Sequence, residues 1–432
     1  MISWFSLHAN RARLYRWITI LGSFAAVQLL VQALNAAAGF LLVRTMEKPD
    51  YAWFTIANGM SAALSILSDS GVGIAVTSIG GTLWEDRASL KGLVHAALRL
   101  RLKLAAVSSA FIAGISLWLL LRSGAGLPSA FGLTALVLAP VWQVSTTAVF
   151  SIVNRLHSRN RQLQVADLVP AIIRASLTAA LALLGGLSPV SALGAVVIAQ
   201  LTQYGIVRRQ VLALLGEGAP QDVEGYTARI WKMVHQYLPS IIFWCLQGQL
   251  TTWLISVFAS TREVADFGAL NRLGIIFVVF GGPLGQFFMP SFARTSDRRR
   301  LWKMAVLLVA CTVAFNAVLL FFAWWQGRWF LWLLGFKYTH LQQELLLVLT
   351  GMAILNLSAI VWAMNNARAW IRRVWISIPV TLGSQVLAAP LFDLGSVKGV
   401  ACFVIVSGAV QCCYAFTVCG LGLTCPERVH AG

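Results

Sequence analysis

Runs of apolar residues long enough to cross a bilayer recur along almost the whole chain, separated by short polar breaks. A membrane-crossing helix needs about 20 predominantly apolar residues, so each run predicts one span. Twelve are predicted, over 18–43, 51–76, 104–122, 131–153, 165–187, 189–207, 237–259, 264–290, 304–326, 342–364, 375–394 and 398–420. The longest polar connection divides them six and six. The pattern therefore predicts an all-α polytopic membrane protein: an N-terminal segment 1–17, a six-helix lobe 18–207, a connector 208–236, a second six-helix lobe 237–420, and a C-terminal segment 421–432. Basic residues and "NAAAG" give the N-terminus a signal-like look, but 18–43 exceeds the roughly 7–15 residues of a signal h-region, which predicts an uncleaved first span.

Two finer patterns bear on organisation. In 89–103, Leu90, Leu93, Val94, Ala97 and Leu98 recur at helical spacing beside Lys91, Arg99 and Arg101, which suits either a helix lying at the membrane interface or a continuation of the third span. Tyr51 onward can also be laid on Val264 onward at a constant offset, so that Ala52 meets Ala265, Phe54 meets Phe267 and Asn58 meets Asn271. This pairs the second span of each half, as a duplicated transporter with parallel repeats requires.

Composition narrows the class. Of 432 residues 58% are hydrophobic and 11% charged, and the mean hydropathy of +0.76 lies outside the range of soluble domains. The net charge of +18 is spread over the breaks between spans. On the side of the N-terminus lie most of the basic residues, from Arg11 and Arg13 through Arg99, Arg155, Arg209 and Arg298 to Arg372; the other side holds only Arg44, Lys48, Arg122, Arg262, Arg328, Lys337 and Lys398. Short cytoplasmic loops concentrate Lys and Arg, so both termini are expected in the cytoplasm. Topology and anionic lipid headgroups account for such charge, and no nucleic-acid partner is expected.

The seven cysteines form no metal-ligand spacing, the histidines are scattered over loops and termini, and no nucleophile–base grouping or phosphate-cradling Gly-rich loop occurs. No loop is long enough for a catalytic domain. The reading is a non-enzymatic protein with no cofactor and no metal.

Candidate chemistry lies inside the membrane. Arg272, in "DFGALNRLGIIFVVF", stands near mid-depth of the eighth span at ~1.5 Å per residue, and Arg174, in "DLVPAIIRASLTAAL", stands at comparable depth in the fifth. A central arginine costs about 2.5–3.5 kcal/mol on insertion scales, so it should face a partner or a wet cavity. One reading makes them structural ion pairs, Arg174 with Asp167 or Asp69 and Arg272 with Asp266. The other has both cations line a central vestibule and hold an anionic substrate, since a guanidinium forks onto phosphate without deprotonating. Gln28, Gln32 and Asn35 form one stripe of the first span that serves interhelical hydrogen bonds or lines such a cavity, and Asn58, Asn271, Gln247 and Gln249 extend it. Pro140, Pro170, Pro239, Pro379 and Pro390 predict kinks.

Three stretches, "LLVRTMEKPDYAWFTIANGM" (41–60), "LSDSGVGIAV" (67–76) and "VADFGALNRLG" (264–274), together with twelve spans in two halves, resemble the multidrug/oligosaccharidyl-lipid/polysaccharide exporter superfamily. Within it the chain is most similar to the polysaccharide-biosynthesis branch, the O-antigen-type flippases. The resemblance implies a V-shaped pair of lobes around a cationic cavity that moves an undecaprenyl-pyrophosphate-linked oligosaccharide across the bacterial inner membrane by alternating access. It implies a role in exopolysaccharide or O-antigen assembly, beside a polysaccharide polymerase and export machinery. On that pattern Arg272 and Arg174 take cavity positions, and Asp69 and Arg44 coupling or gating positions. The first span lacks both the acid expected of cation-coupled multidrug exporters and the mid-span arginines of peptidoglycan-precursor flippases. The alternative is a cation-coupled small-molecule or multidrug exporter of the same fold.

Overall fold

The computed structural model describes residues 26–157, 159–216, 219–284, 297–368 and 374–424, with single positions at 288, 289, 292, 295 and 370. Expectations for 1–25, for Pro290 and for 425–432 lie outside them. The helices are α1 (Ala26–Thr45), α2 (Lys48–Asp69), α3 (Val72–Leu83), α4 (Arg87–Arg122), α5 (Leu127–Leu138), α6 (Val141–Leu156), α7 (Asn160–Leu183), α8 (Pro189–Leu215), α9 (Val223–Phe258), α10 (Thr261–Asn271), α11 (Ile275–Pro283), α12 (Arg298–Leu334), α13 (Gln342–Ala367), α14 (Val374–Ala388) and α15 (Val397–Thr424).

Among the described residues ten helical segments are long and apolar enough to cross a membrane, and α2 with α3 makes an eleventh, bent by 44°. The bend follows from the backbone: Ser70 and Gly71 both adopt positive φ, 41° and 89°, which ends α2 and restarts the chain on a new axis. The expected span at 375–394 is a shorter apolar helix, Ile376–Leu391, with Pro379 inside it and Pro390 in a closing 3₁₀ turn. Pro140 likewise interrupts Leu127–Leu156, since its ring carries no amide hydrogen for the ladder.

The structure resolves two points at the polar breaks, and at 89–103 the continuation of the third span is the reading that holds. The segment 89–103 is not a separate interfacial helix: α4 runs unbroken for 36 residues, and Leu90, Leu93, Val94 and Ala97 are buried against protein. The connector 208–236 is largely helical, since α8 continues to Leu215 and α9 starts at Val223. Only a short loop remains, and the Gln221 amide donates to the Ala88 carbonyl oxygen at 3.4 Å. Tyr226, Ile230 and Val234 of α9 bury their side chains against α3, α4 and α6, so the basic connector is held by the N-terminal half.

The core is not uniform along the bundle. At the end bearing the α1–α2 and α12–α13 turns, one continuous apolar cluster draws on both halves, from Leu42, Tyr51 and Ile112 to Ala265, Leu334 and Leu349. At the end where the basic residues concentrate the described residues form two separate clusters, one built from α3, α4, α6, α7, α8 and α9, the other from α12, α13, α15, Met289, Phe292 and Trp370. One shared core and two divided ones make a V that is joined at the first end and parted at the basic end.

Candidate functional site

The joined end is tied by polar bonds between the halves. Lys48 Nζ of α2 meets Asp266 Oδ1 of α10 at 2.5 Å, and His340 Nε2 lies 3.3 Å from the other oxygen. Asp266 is 2% exposed, so its carboxylate is buried while Lys48 and His340 approach it from partly exposed positions. Arg122 donates twice to the Val257 carbonyl oxygen, at 3.1 and 2.6 Å, and Thr261 donates to the Ser123 carbonyl oxygen at 2.8 Å. Arg44 donates to the Trp332 carbonyl oxygen at 3.2 Å while its guanidinium carbon lies 4.8 Å from the Trp332 ring centroid. Arg44 is thus an exposed tie at the rim.

Arg272 opens a 3₁₀ turn inside one continuous helical span. The eighth predicted span is α10 and α11 joined by a 3₁₀ turn, Arg272–Gly274. Mid-span 3₁₀ geometry re-aims side chains, and here it lays the arginine across to the other half. Its Nε donates to Tyr51 Oη of α2 at 3.0 Å, and its guanidinium carbon stands 5.6 Å from the Phe54 ring centroid. The side chain lies against Gly39 of α1, where an added Cβ would come within 3.5 Å of it. Tyr51 in turn donates to the Gly268 carbonyl oxygen at 3.2 Å.

Arg174 of α7 donates through Nη1 to Asn35 Oδ1 of α1 at 3.3 Å, and its Nε is buried without a partner. Arg174 bonds Asn35 and Arg272 lies against Gly39, one turn apart on α1, so one cation from each half approaches the same stretch of that helix. Among the described residues neither arginine has a carboxylate within 4.0 Å. Asp266 is held by Lys48, Asp69 by Arg101 Nη1 at 2.5 Å, and Asp167 accepts from Gln28 at 3.1 Å and Gln203 at 3.3 Å. The ion-pair reading of the two arginines thus loses all three of its acids to other groups.

The amides divide. Gln28 and Asn35 both face α7, bonding Asp167 and Arg174, whereas Gln32 lines an apolar groove of ≈560 Å³ with Leu29, Ile276, Phe280 and Phe315. Asn58 lines a cavity of ≈310 Å³ with Arg174 in the N-terminal half, and Asn271 lines one of ≈190 Å³ in the C-terminal half. The two residues matched by the internal repeat therefore each line a cavity in their own half. Gln247 is committed to Gln385 through two amide bonds, 2.9 and 2.6 Å, and Gln249 covers Gly59. Asp69 also accepts from the Gly73 amide at 3.1 Å and borders a large cavity of ≈1000 Å³ in the N-terminal half, as do Asp167 and Arg155.

Sequence reasoning missed Lys48, Tyr51, Arg101 and His340. Tyr51 and Lys48 sit in the quoted stretch 41–60, but a lysine opposite an acid 218 residues away and a phenol opposite an arginine 221 residues away leave no local signal.

No protein-family model and no curated protein sequence matches the chain. Solved structures do match. A multidrug resistance MATE family transporter of the MOP superfamily in its inward-facing conformation superimposes with a TM-score of 0.74 at 14% identity, over 94% of this chain and 100% of that one. The lipid II flippase MurJ in an inward closed conformation gives 0.70 at 11% identity, over 91% and 87%. A MOP superfamily transporter from Pyrococcus furiosus, described by the reverse polarity of its binding pocket, gives 0.65 at 13% identity, over 94% and 95%. The chain is a multi-pass membrane protein with the fold these MOP-superfamily transporters share.

Proposed function

We propose that this protein is a flippase for a lipid-linked oligosaccharide, carrying an undecaprenyl-pyrophosphate-bound glycan across the bacterial inner membrane for exopolysaccharide or O-antigen assembly. The observation that supports the reading is the approach of Arg174 and Arg272, one from each half, to adjacent turns of α1, with no carboxylate within 4.0 Å of either among the described residues. Two unneutralised guanidiniums in a low-dielectric setting favour a multivalent anion, and their planar forks suit the oxygens of a pyrophosphate. The apolar groove between α1, α11 and α12 begins beside this pair and suits a polyprenyl tail that stays in contact with lipid. The concentration of basic residues at the parted end supports a cytoplasmic orientation for that end, with the substrate entering from the leaflet where such lipids are assembled. A polysaccharide polymerase and the export machinery are the natural downstream partners.

The second reading is a cation-coupled exporter of small molecules. The TM-score of 0.74 to a multidrug transporter supports it, as does Asp167, a membrane-embedded carboxylate bordering the N-terminal cavity.

Reconstitution separates them. Vesicles holding the purified protein and a fluorescent polyprenyl-pyrophosphate sugar lipid should show transfer between leaflets, and Arg272→Leu should slow it at least about tenfold, the loss expected when a charge-assisted bond is removed. Transfer by the variant at the native rate would remove Arg272 from the mechanism, and uptake of cationic dyes driven by a proton or sodium gradient in place of lipid transfer would replace the flippase reading.

A further inference from the structure

Arg174 needs a counter-charge even when no cargo is present. Its Nη1 donates to the Asn35 amide oxygen at 3.3 Å, a neutral partner, and among the described residues no carboxylate lies within 4.0 Å of its guanidinium. A permanent cation inside a membrane span is costly unless water or an opposite charge reaches it. The pyrophosphate of a cargo lipid supplies that charge for only part of a transport cycle. For the rest, a smaller anion has to stand in.

The space beside Arg174 suits one. The cavity of ≈310 Å³ lies between α2, α5, α6, α7 and α8, all of the N-terminal half, and among the described residues Arg174 is the one charged side chain that lines it. From α2 it receives Asn58, Ser61 and Ser65, whose i, i+3 and i+7 spacing puts them on one helical face. All three are half-buried, none makes a hydrogen bond, and each keeps accessible surface on its polar atoms. The Arg174 Nη2 is likewise unbonded and accessible, whereas its Nε is sealed.

These are groups that serve an anion: a guanidinium nitrogen, two hydroxyls free to turn their hydrogens inward, and an amide. A round space of this volume is about 8 Å across, so an occupant at its centre reaches opposite walls directly or through one water. Several directed donors around one point match the oxygens of a tetrahedral oxyanion better than they match a halide, which has no directions to satisfy.

We propose that this cavity is an oxyanion site, filled by inorganic phosphate in the cargo-free protein, with Arg174, Ser61, Ser65 and Asn58 as its contacts. The site belongs to the N-terminal half alone, since Arg272 is not among its walls. It shares Ser65, Val144 and Gln200 with the cavity of ≈1000 Å³, through which the ion exchanges. One consequence rests on the flippase reading: the phosphate of the cargo and the inorganic ion compete for Arg174, so loading the lipid releases the ion.

The test is equilibrium binding of radiolabelled inorganic phosphate to the full-length protein in nanodiscs of neutral lipid, at constant ionic strength and without polyprenyl lipid. Phosphate should bind at a single site, sulfate should displace it, and chloride at the same concentration should not. Arg174→Gln should abolish binding. Ser61→Ala and Ser65→Ala should each weaken it about tenfold, the loss expected for one hydrogen bond to a charged group, and Ser61→Thr should keep it. Arg272→Gln, outside the cavity, should change it by no more than about twofold. Absence of binding, binding that survives Arg174→Gln, displacement by chloride as readily as by sulfate, or loss on Arg272→Gln as complete as on Arg174→Gln would overturn the site and leave the flippase reading standing. Lipid transfer is read separately: transfer that inorganic phosphate does not slow would overturn the competition, and absence of transfer beside intact phosphate binding would overturn the flippase reading alone.

Discussion

At the scale of single residues, the joined end and the arginine pair make opposite use of charge. Lys48 and Asp266 form a pair whose carboxylate is buried, and removing one member of a buried pair commonly costs about 3–5 kcal/mol because the other charge is left unpaired. Asp266→Asn should accordingly lower the thermal midpoint in detergent, and replacing Lys48 as well should recover part of the loss; an additive double variant would show that the contact carries no coupling. Arg272 by contrast is held by a phenol and a ring face, contacts that leave its Nη groups for a ligand. The arginines were legible in the sequence, since a cation stands out in hydrocarbon. Their surroundings were not: Asp266 was the candidate partner of Arg272 in the ion-pair reading, yet it answers to Lys48 and His340 from distant turns, and such pairings are set by tertiary approach.

At the scale of elements, the apolar runs found the spans and failed at their polar edges. The helical turns at 208–215 and 223–236 carry arginine, glutamate and histidine, so hydropathy closes the spans too early although the backbone continues. The bend at Ser70–Gly71 and the 3₁₀ turn at Arg272 are likewise invisible to a hydropathy window, because they change dihedral angles without changing polarity. Contact between α2 and α10 depends on one small residue: a Cβ on Gly268 would come within 2.8–2.9 Å of Thr55. Gly268→Ala should destabilise by about 1–3 kcal/mol, as overpacking does, and Thr55→Ser in the same chain should relieve part of it. The start of α4 offers a pH dependence. Asp86 caps it, accepting from the Ala88 amide at 3.0 Å, and the Ser89 hydroxyl followed by the Ala88 and Ser89 amides holds its carboxylate below the usual aspartate range. A depressed folded-state value contributes stability that is complete above the ordinary aspartate pKa and lost as the pH falls through the lower one. Hydrogen exchange in the first turn of α4 should therefore quicken on acidification below about pH 3.8, and Asp86→Asn should flatten that response.

At the scale of the whole molecule, one shared core and two divided ones define which way the V opens. A cysteine replacing Ser78, exposed on the wall of the large cavity, should react with a water-soluble maleimide added at the basic face, whereas one replacing Val264, 1% exposed in the joined core, should stay unreactive. Reaction at 264 and protection at 78 would mean that the ensemble rests in the opposite state. Tyr51 gives this geometry a further consequence. Its hydroxyl spans the two halves, donating to the Gly268 carbonyl oxygen while receiving from Arg272, within the core that closes the V. A phosphate that recruits the Arg272 Nε must take it from Tyr51. Loading the passenger would then unfasten one stitch of the seam on the far side, linking arrival of the cargo to the opening of its exit.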